Sequence, residues 1–218
     1  MNTLSRYEKL VISTRYWLLG MAEHDPEYFK VIDAMELCLE HHNGTRNGGE
    51  PEATHMLGIF AQVRTLHKHI KNPVTVYILV FCHDMIEDKN QKTGKFITLT
   101  ELEDRYGAVI AGKVKKMSKE ILGQPNPEYS LDTIFADEDC SIAKAGDRVN
   151  NISTMVGVFK PARLERYIKE TAEEFIPRLK SARRKFANQE AVYESMKLQM
   201  ENQLTLINHI VQGLQPNT

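Results

Sequence analysis

The chain has 218 residues, 42% hydrophobic and 26% charged, the balance of one ordinary globular domain or one domain with an extension. Lys and Arg number 28 against 29 Asp and Glu, a formal net charge of −1, so no bulk attraction to nucleic acid or an anionic membrane is expected. Cys38, Cys82 and Cys140 are too few and too scattered for a disulfide framework, which suits a reducing compartment. The N-terminus carries charges where a signal peptide needs an apolar core, and no run of about eighteen apolar residues marks a membrane span. A cytoplasmic protein is therefore expected.

The pattern is helical nearly throughout, so the expected fold class is all-α. Leu4, Tyr7, Leu10, Val11, Trp17, Leu18 and Met21 recur at helical spacing, and Gly20 stands where this first helix could end. Asp25-Pro26 opens a second helix that runs to about His42. Residues 43–51 hold three Gly and a Pro and form a loop, after which a helix starts at Glu52 or Thr54. Asn72-Pro73 leads into the apolar run Val74–Val80 and a helix ending in an acidic cluster, with an exposed loop over 88–98. Thr98-Leu-Thr-Glu101 is a capping box for a helix that Tyr106-Gly107 interrupts and 109–121 continues. A second loop spans 123–127. Residues 131–155 are mostly helical, followed by a break near Gly157 and Pro161. Two final helices cover 163–186 and 189–212, with Pro177 kinking or dividing the former. No strand-like alternation survives.

The densest chemistry is Phe81-Cys-His83-Asp84-Met-Ile-Glu87-Asp88. A His and three carboxylates after a buried run need a compensating charge, and a divalent cation is the simplest one. On a helix, His83/Glu87 and Asp84/Asp88 would be i,i+4 pairs. The alternative is a solvated helix end. A hard ion with mixed His and carboxylate ligands, such as manganese, needs further donors. His55 and Asp147 are candidates. His55 could equally be a surface histidine, and Asp147 a surface partner of Arg148. Ala143, Ala145 and Gly146 before Asp147 would let another helix approach closely. Lys144, one turn before Asp147, is a candidate phosphate contact.

His55, His83-Asp84 and Asp147 follow the H…HD…D order of the HD superfamily of metal-dependent phosphohydrolases. Gly49–His55 resembles the GEPYxxH segment of the RelA/SpoT alarmone hydrolase domain. His83–Asp88 is similar to its HDxxED, and Ala145–Thr154 to its ADRxxNxxT word. The segment Leu99–Gly107 is also similar, and the likeness runs from about Leu37 to Met155, more loosely to Leu179. It implies an HD-type helical bundle over residues 1–187, with 188–218 a C-terminal helical extension packed on the same domain. The resemblance further implies one Mn2+ held by His55, His83, Asp84 and Asp147, and an acidic pair, Glu87 and Asp88, that positions and activates the attacking water. Arg46 occupies the position that stacks on the base, and Asn151 and Thr154 positions that hold the nucleotide. With Asn47, Lys144 and Arg148 they are the expected substrate contacts.

The implied reaction is removal of the 3′-pyrophosphate of (p)ppGpp by a stand-alone small alarmone hydrolase, since 218 residues leave no room for synthetase and regulatory domains. Three positions depart from the pattern. Asn47 replaces a basic residue, Glu52 an aromatic, and Met56 a proline. These leave open another phosphorylated nucleotide, such as ppApp, NADPH or a dNTP, or a non-catalytic nucleotide-binding module. The basic run Arg178–Lys185 reads as a solvated helix face, with substrate steering as the alternative, and Cys82 as core packing.

Overall fold

A computed structural model describes residues 4–46 and 48–214. The elements run α1 (Arg6–Ala22), α2 (Tyr28–His41), α3 (Thr54–Val63) with a 3-10 turn over Arg64–His69, α4 (Pro73–Cys82), α5 (Leu99–Tyr106) and α6 (Ala108–Met117). A two-residue hairpin follows, β1 (Glu120–Ile121) and β2 (Gln124–Pro125), then α7 (Leu131–Phe135), α8 (Glu138–Thr154), α9 (Pro161–Glu170), α10 (Ile176–Lys185) and α11 (Glu190–Leu214). The fold is all-α. Among the described residues no helix is long and apolar enough to cross a membrane.

Local chemistry sets most boundaries. Ser5 and Glu8 form a capping box at α1, and Thr98 and Glu101 the expected one at α5. Asp137 caps α8 through the amides of Asp139 and Cys140, and its carboxylate also takes Lys113 and Lys116. Pro73 sits in the first turn of α4, where its missing N–H costs nothing.

Two expectations are corrected and one is met. Gly20 does not end α1, which continues to Ala22. The span 163–186 is divided next to Pro177, as expected. α9 gives way to a π-helical turn over Thr171–Phe175, and α10 starts just ahead of Pro177, which cannot donate to the preceding turn. The hairpin was not expected, because two residues per strand are too short for alternation to register. Leu122 and Gly123 both take positive φ (53° and 78°), the backbone of a type I′ turn.

α8 is the centre of the bundle, packed by α3, α4 and α11, and every residue from Asp139 to Asn150 is buried. Small residues make this possible. A Cβ on Gly146 would lie 2.9 Å from Val63 Cγ2 and 3.0 Å from Ile59 Cγ2, so α3 approaches as closely as only glycine allows. α4 is buried from Val76 to Cys82, and each large apolar side chain there contributes about 1.5–3 kcal/mol. α11 lays Val192, Tyr193, Met196 and Met200 against α8 and α10, and Tyr193 shares a 2.9 Å hydrogen bond with Ser141.

Candidate functional site

α3, α4 and α8 each bring ligand-type side chains to one place. His55 lies in the first turn of α3, delivered by the Gly-rich loop, which closes on itself through Arg46 N–H to Glu50 C=O (2.9 Å) and a Thr45–Pro51 bridge. His83 and Asp84 directly follow α4, and Asp147 lies midway along α8. One ligand atom each of His55, His83 and Asp84 falls within 4.8 Å of the other two. Asp147 Oδ1 is 3.1 Å from His55 Nε2 and 3.9 Å from His83 Nε2.

Both imidazoles are oriented from behind. His55 Nδ1 lies 2.8 Å from Asn150 Oδ1, and His83 Nδ1 3.0 Å from the Val80 carbonyl. These acceptors fix a proton on Nδ1 and aim Nε2 at the carboxylates, as metal-binding histidines are held. His83 Nε2 is fully buried and has no hydrogen-bond partner. Asp84 Oδ2, 3.2 Å away, is out of line. A buried nitrogen left unpaired beside two carboxylates is the donor set that a divalent cation completes, so the residues fit one. Burial works against charge on His83, but Asp84 and Asp147 outweigh it and raise its pKa to about 9. Burial likewise works to raise the Asp147 carboxyl, but Lys144 (Nζ to Oδ2, 3.0 Å) and the two histidines hold it well below the usual range.

The acidic pair is held by turns instead of a continuous helix; of the two expected i,i+4 pairs, Asp84 and Asp88 keep the helical bond (Asp88 N–H to the Asp84 carbonyl, 2.9 Å), whereas Glu87 N–H turns from His83 to Asp84. α4 ends at Cys82, and the turns that follow it are tied down partly from distant residues. Ser118 Oγ donates to the His83 carbonyl (3.2 Å), Leu122 N–H to that of Ile86 (2.9 Å), and Glu87 N–H bonds back to Asp84 (3.1 Å). The hairpin therefore braces the acidic turn, and Lys119 N–H donates to Glu87 Oε1 at 2.6 Å. Burial and the nearby Asp84 charge raise Glu87 to about 7, and Asp88, more than half exposed, is pushed the same way less by burial than by the Asp84 and Glu52 charges. Carboxylates poised near neutrality suit proton transfer.

The cleft has two compartments, of about 340 and 350 Å3, that share Arg46, His55 and Asn151. The first contains the acidic pair and three of the candidate ligands, His55, Asp84 and Asp147, while His83 is buried. Six carboxylates (Glu52, Asp84, Glu87, Asp88, Asp147, Glu170) and four basic side chains (Arg46, Lys119, Lys144, Arg148) line this compartment, an excess of acidic groups that a bound cation would offset before a phosphate enters. The second is walled by Met155, Val156, Val158 and Phe159 with Asn151, Ser153 and Thr154. Arg46 stands at the junction and donates to Asn151 Oδ1 (3.3 Å), while Asn151 donates to Asp147 Oδ1 (2.6 Å).

No model of a known protein family matches the chain, and no curated protein matches it.

Of the residues singled out from sequence, His55, His83, Asp84, Glu87, Asp88, Lys144 and Asp147 line or build one site, with Arg46, Asn151 and Thr154 along the cleft. Asn47 lies outside the described residues. Arg148 borders the cleft but is committed elsewhere. It is 4% exposed, held 4.1 Å over the Tyr167 ring and 3.6 Å over that of Phe175, and paired to Glu170 at 2.8 Å. Asp147 is thus not its surface partner. Much of the basic run is also occupied. Arg178 pairs with Asp132 and Glu174, Arg183 with Glu194, and Lys185 with the Ala136 carbonyl. Glu52, singled out as a departure from the pattern, lines the cleft, and sequence reasoning missed Asn150, Lys119 and His42 as site residues. Asn150 had a signal, since it lies three residues after Asp147, on the same helix face. The others are brought in only by tertiary packing.

Proposed function

We propose that the chain is a metal-dependent phosphohydrolase of the HD superfamily, of the RelA/SpoT alarmone-hydrolase kind, that removes the 3′-pyrophosphate of (p)ppGpp. The observation that carries the reading is the convergence of two Nε2-presenting histidines and two carboxylates beside a pair of acids with raised pKa values. His55, His83, Asp84 and Asp147 would hold the ion, and the family resemblance implies Mn2+. When bound, it supplies Lewis-acid polarisation of a phosphoryl oxygen.

The chain's own groups account for the rest. Lys144, Lys119 and Arg46 meet the phosphate oxygens, and the nucleoside extends into the compartment walled by Val156, Val158 and Phe159. Glu87, fixed by the Lys119 amide, takes the proton of the attacking water as its oxygen bonds to phosphorus, the bond from phosphorus to the ribose 3′ oxygen breaks, and the leaving 3′ oxygen takes up a proton from solvent. Asp88 orients that water. A nucleotide with fewer phosphate charges is the second reading, favoured by Glu52, an acid that lines the phosphate compartment.

The test is Mn2+-dependent release of pyrophosphate or phosphate from a panel of ppGpp, pppGpp, ppApp, NADPH and dNTPs. Asp84→Ala is expected to remove turnover with the melting temperature kept. Normal turnover by that variant would refute the site, and failure of the wild type on every member would refute the activity.

A further inference from the structure

Building on that reading, we propose that His42 is a positioning residue for Asp88, steering its carboxylate from the Nδ1 side while His41 fixes the backbone of the same residue. The two acids of the turn are held very differently. Glu87 Oε1 has the Lys119 amide at 2.6 Å. The Asp88 side chain, 56% exposed, accepts no hydrogen bond among the described residues, and His42 Nδ1, 4.0 Å from Oδ2, is the polar group that faces it. That separation is too long for a hydrogen bond and is the kind that closes when a site is filled. His41 supplies the other half, with Nε2 at 2.9 Å from the Asp88 carbonyl, and its ring stands edge-on to that of His42 at 5.0 Å.

His42 has no structural reason to be a histidine. Its side chain is 1% exposed, and Nε2 is buried without a partner, a cost that an apolar side chain of similar size would avoid. Burial drives its pKa down to about 3, so the neutral ring has one N–H to give. Placed on Nδ1, that N–H points Asp88 at the water. A residue retained against stability in the wall of a reaction cleft is what a positioning role predicts.

Three substitutions test this in the manganese-loaded full chain. His42→Leu is expected to lower kcat on ppGpp by about tenfold to a hundredfold with KM unchanged and the melting temperature unchanged or raised. His42→Asn, whose amide nitrogen falls near the place of Nδ1, restores most of kcat, whereas His42→Gln, which mimics Nε2, does not. A melting temperature that falls together with kcat, or rescue by Gln but not Asn, overturns the proposal. A crystal structure of the Mn2+-loaded wild type tests the geometry with no substrate. His42 Nδ1 is expected within about 3.2 Å of Asp88 Oδ2. A gap still at 4 Å or wider overturns the inference whatever the substrate, while absence of turnover in the wild type counts against the proposed function alone.

Discussion

Asn150→Ala probes the site through a residue that would not itself touch the ion. Asn150 Oδ1 accepts from His55 Nδ1 at 2.8 Å, and both side chains are buried, at 8% and 7% exposure. Without the amide, His55 has two options. It can keep the proton on Nδ1 and leave a buried N–H unpaired, at a cost of about 1–3 kcal/mol. Or it can move the proton to Nε2, where Asp147 Oδ1 waits at 3.1 Å, and so cover the lone pair that the cation needs. The first outcome lowers stability and the second lowers affinity. Loss of such an orienting partner weakens metal binding about 10–100-fold, which is about 1.4–2.8 kcal/mol. Calorimetric titration of Mn2+ at fixed pH, paired with urea unfolding of the metal-free protein, reads both. Asn150→Asp keeps the acceptor and is expected to bind Mn2+ at least as tightly as the wild type. An alanine variant with wild-type affinity and wild-type stability would refute the role given to Asn150.

Gly58→Ala should weaken Mn2+ binding too. Its Cβ would fall 2.7 Å from Asn150 Nδ2 and displace the amide, outweighing the up to about 1 kcal/mol that alanine adds to a helix interior; the same titration checks it. Because His83 has its pKa raised to about 9, Mn2+ uptake at neutral pH should expel protons and tighten as pH rises toward 9, visible as a buffer-dependent binding enthalpy. In the metal-free protein that proton stabilises the fold fully below pH 6.5, the unfolded value, and its contribution is lost as pH rises through about 9. Arg148→Ala is expected to cost about 2–4 kcal/mol in urea unfolding, from the lost packing between Tyr167 and Phe175 and the lost Glu170 pair. A raised KM at full stability would instead make Arg148 a substrate contact.

The all-α class was legible in the chain because helical periodicity and capping boxes such as Thr98–Glu101 are local, and local hydrogen bonds suffice to enforce them. The cluster at His83–Asp88 was legible for a similar reason, since so many charges after a buried run need compensation wherever they sit. That the cluster lies in turns was not. The turns after α4 are tied down by Ser118 and Leu122, more than thirty residues downstream, and no local rule anticipates so distant a partner. The same holds for Arg148, which reads as a surface charge beside Asp147 until α9 and the π-helical turn enclose it.

By itself, then, the amino-acid sequence determined which side chains were capable of the chemistry: two histidines, the carboxylates and a basic residue at Lys144. Tertiary structure alone decided how each is aimed. Asn150 and the Val80 carbonyl turn Nε2 of the histidines inward, the hairpin braces Glu87, and His41 and His42 flank Asp88. Orientation depends on hydrogen bonds between residues far apart in the chain, and these exist only once α3, α4 and α8 have closed around one another.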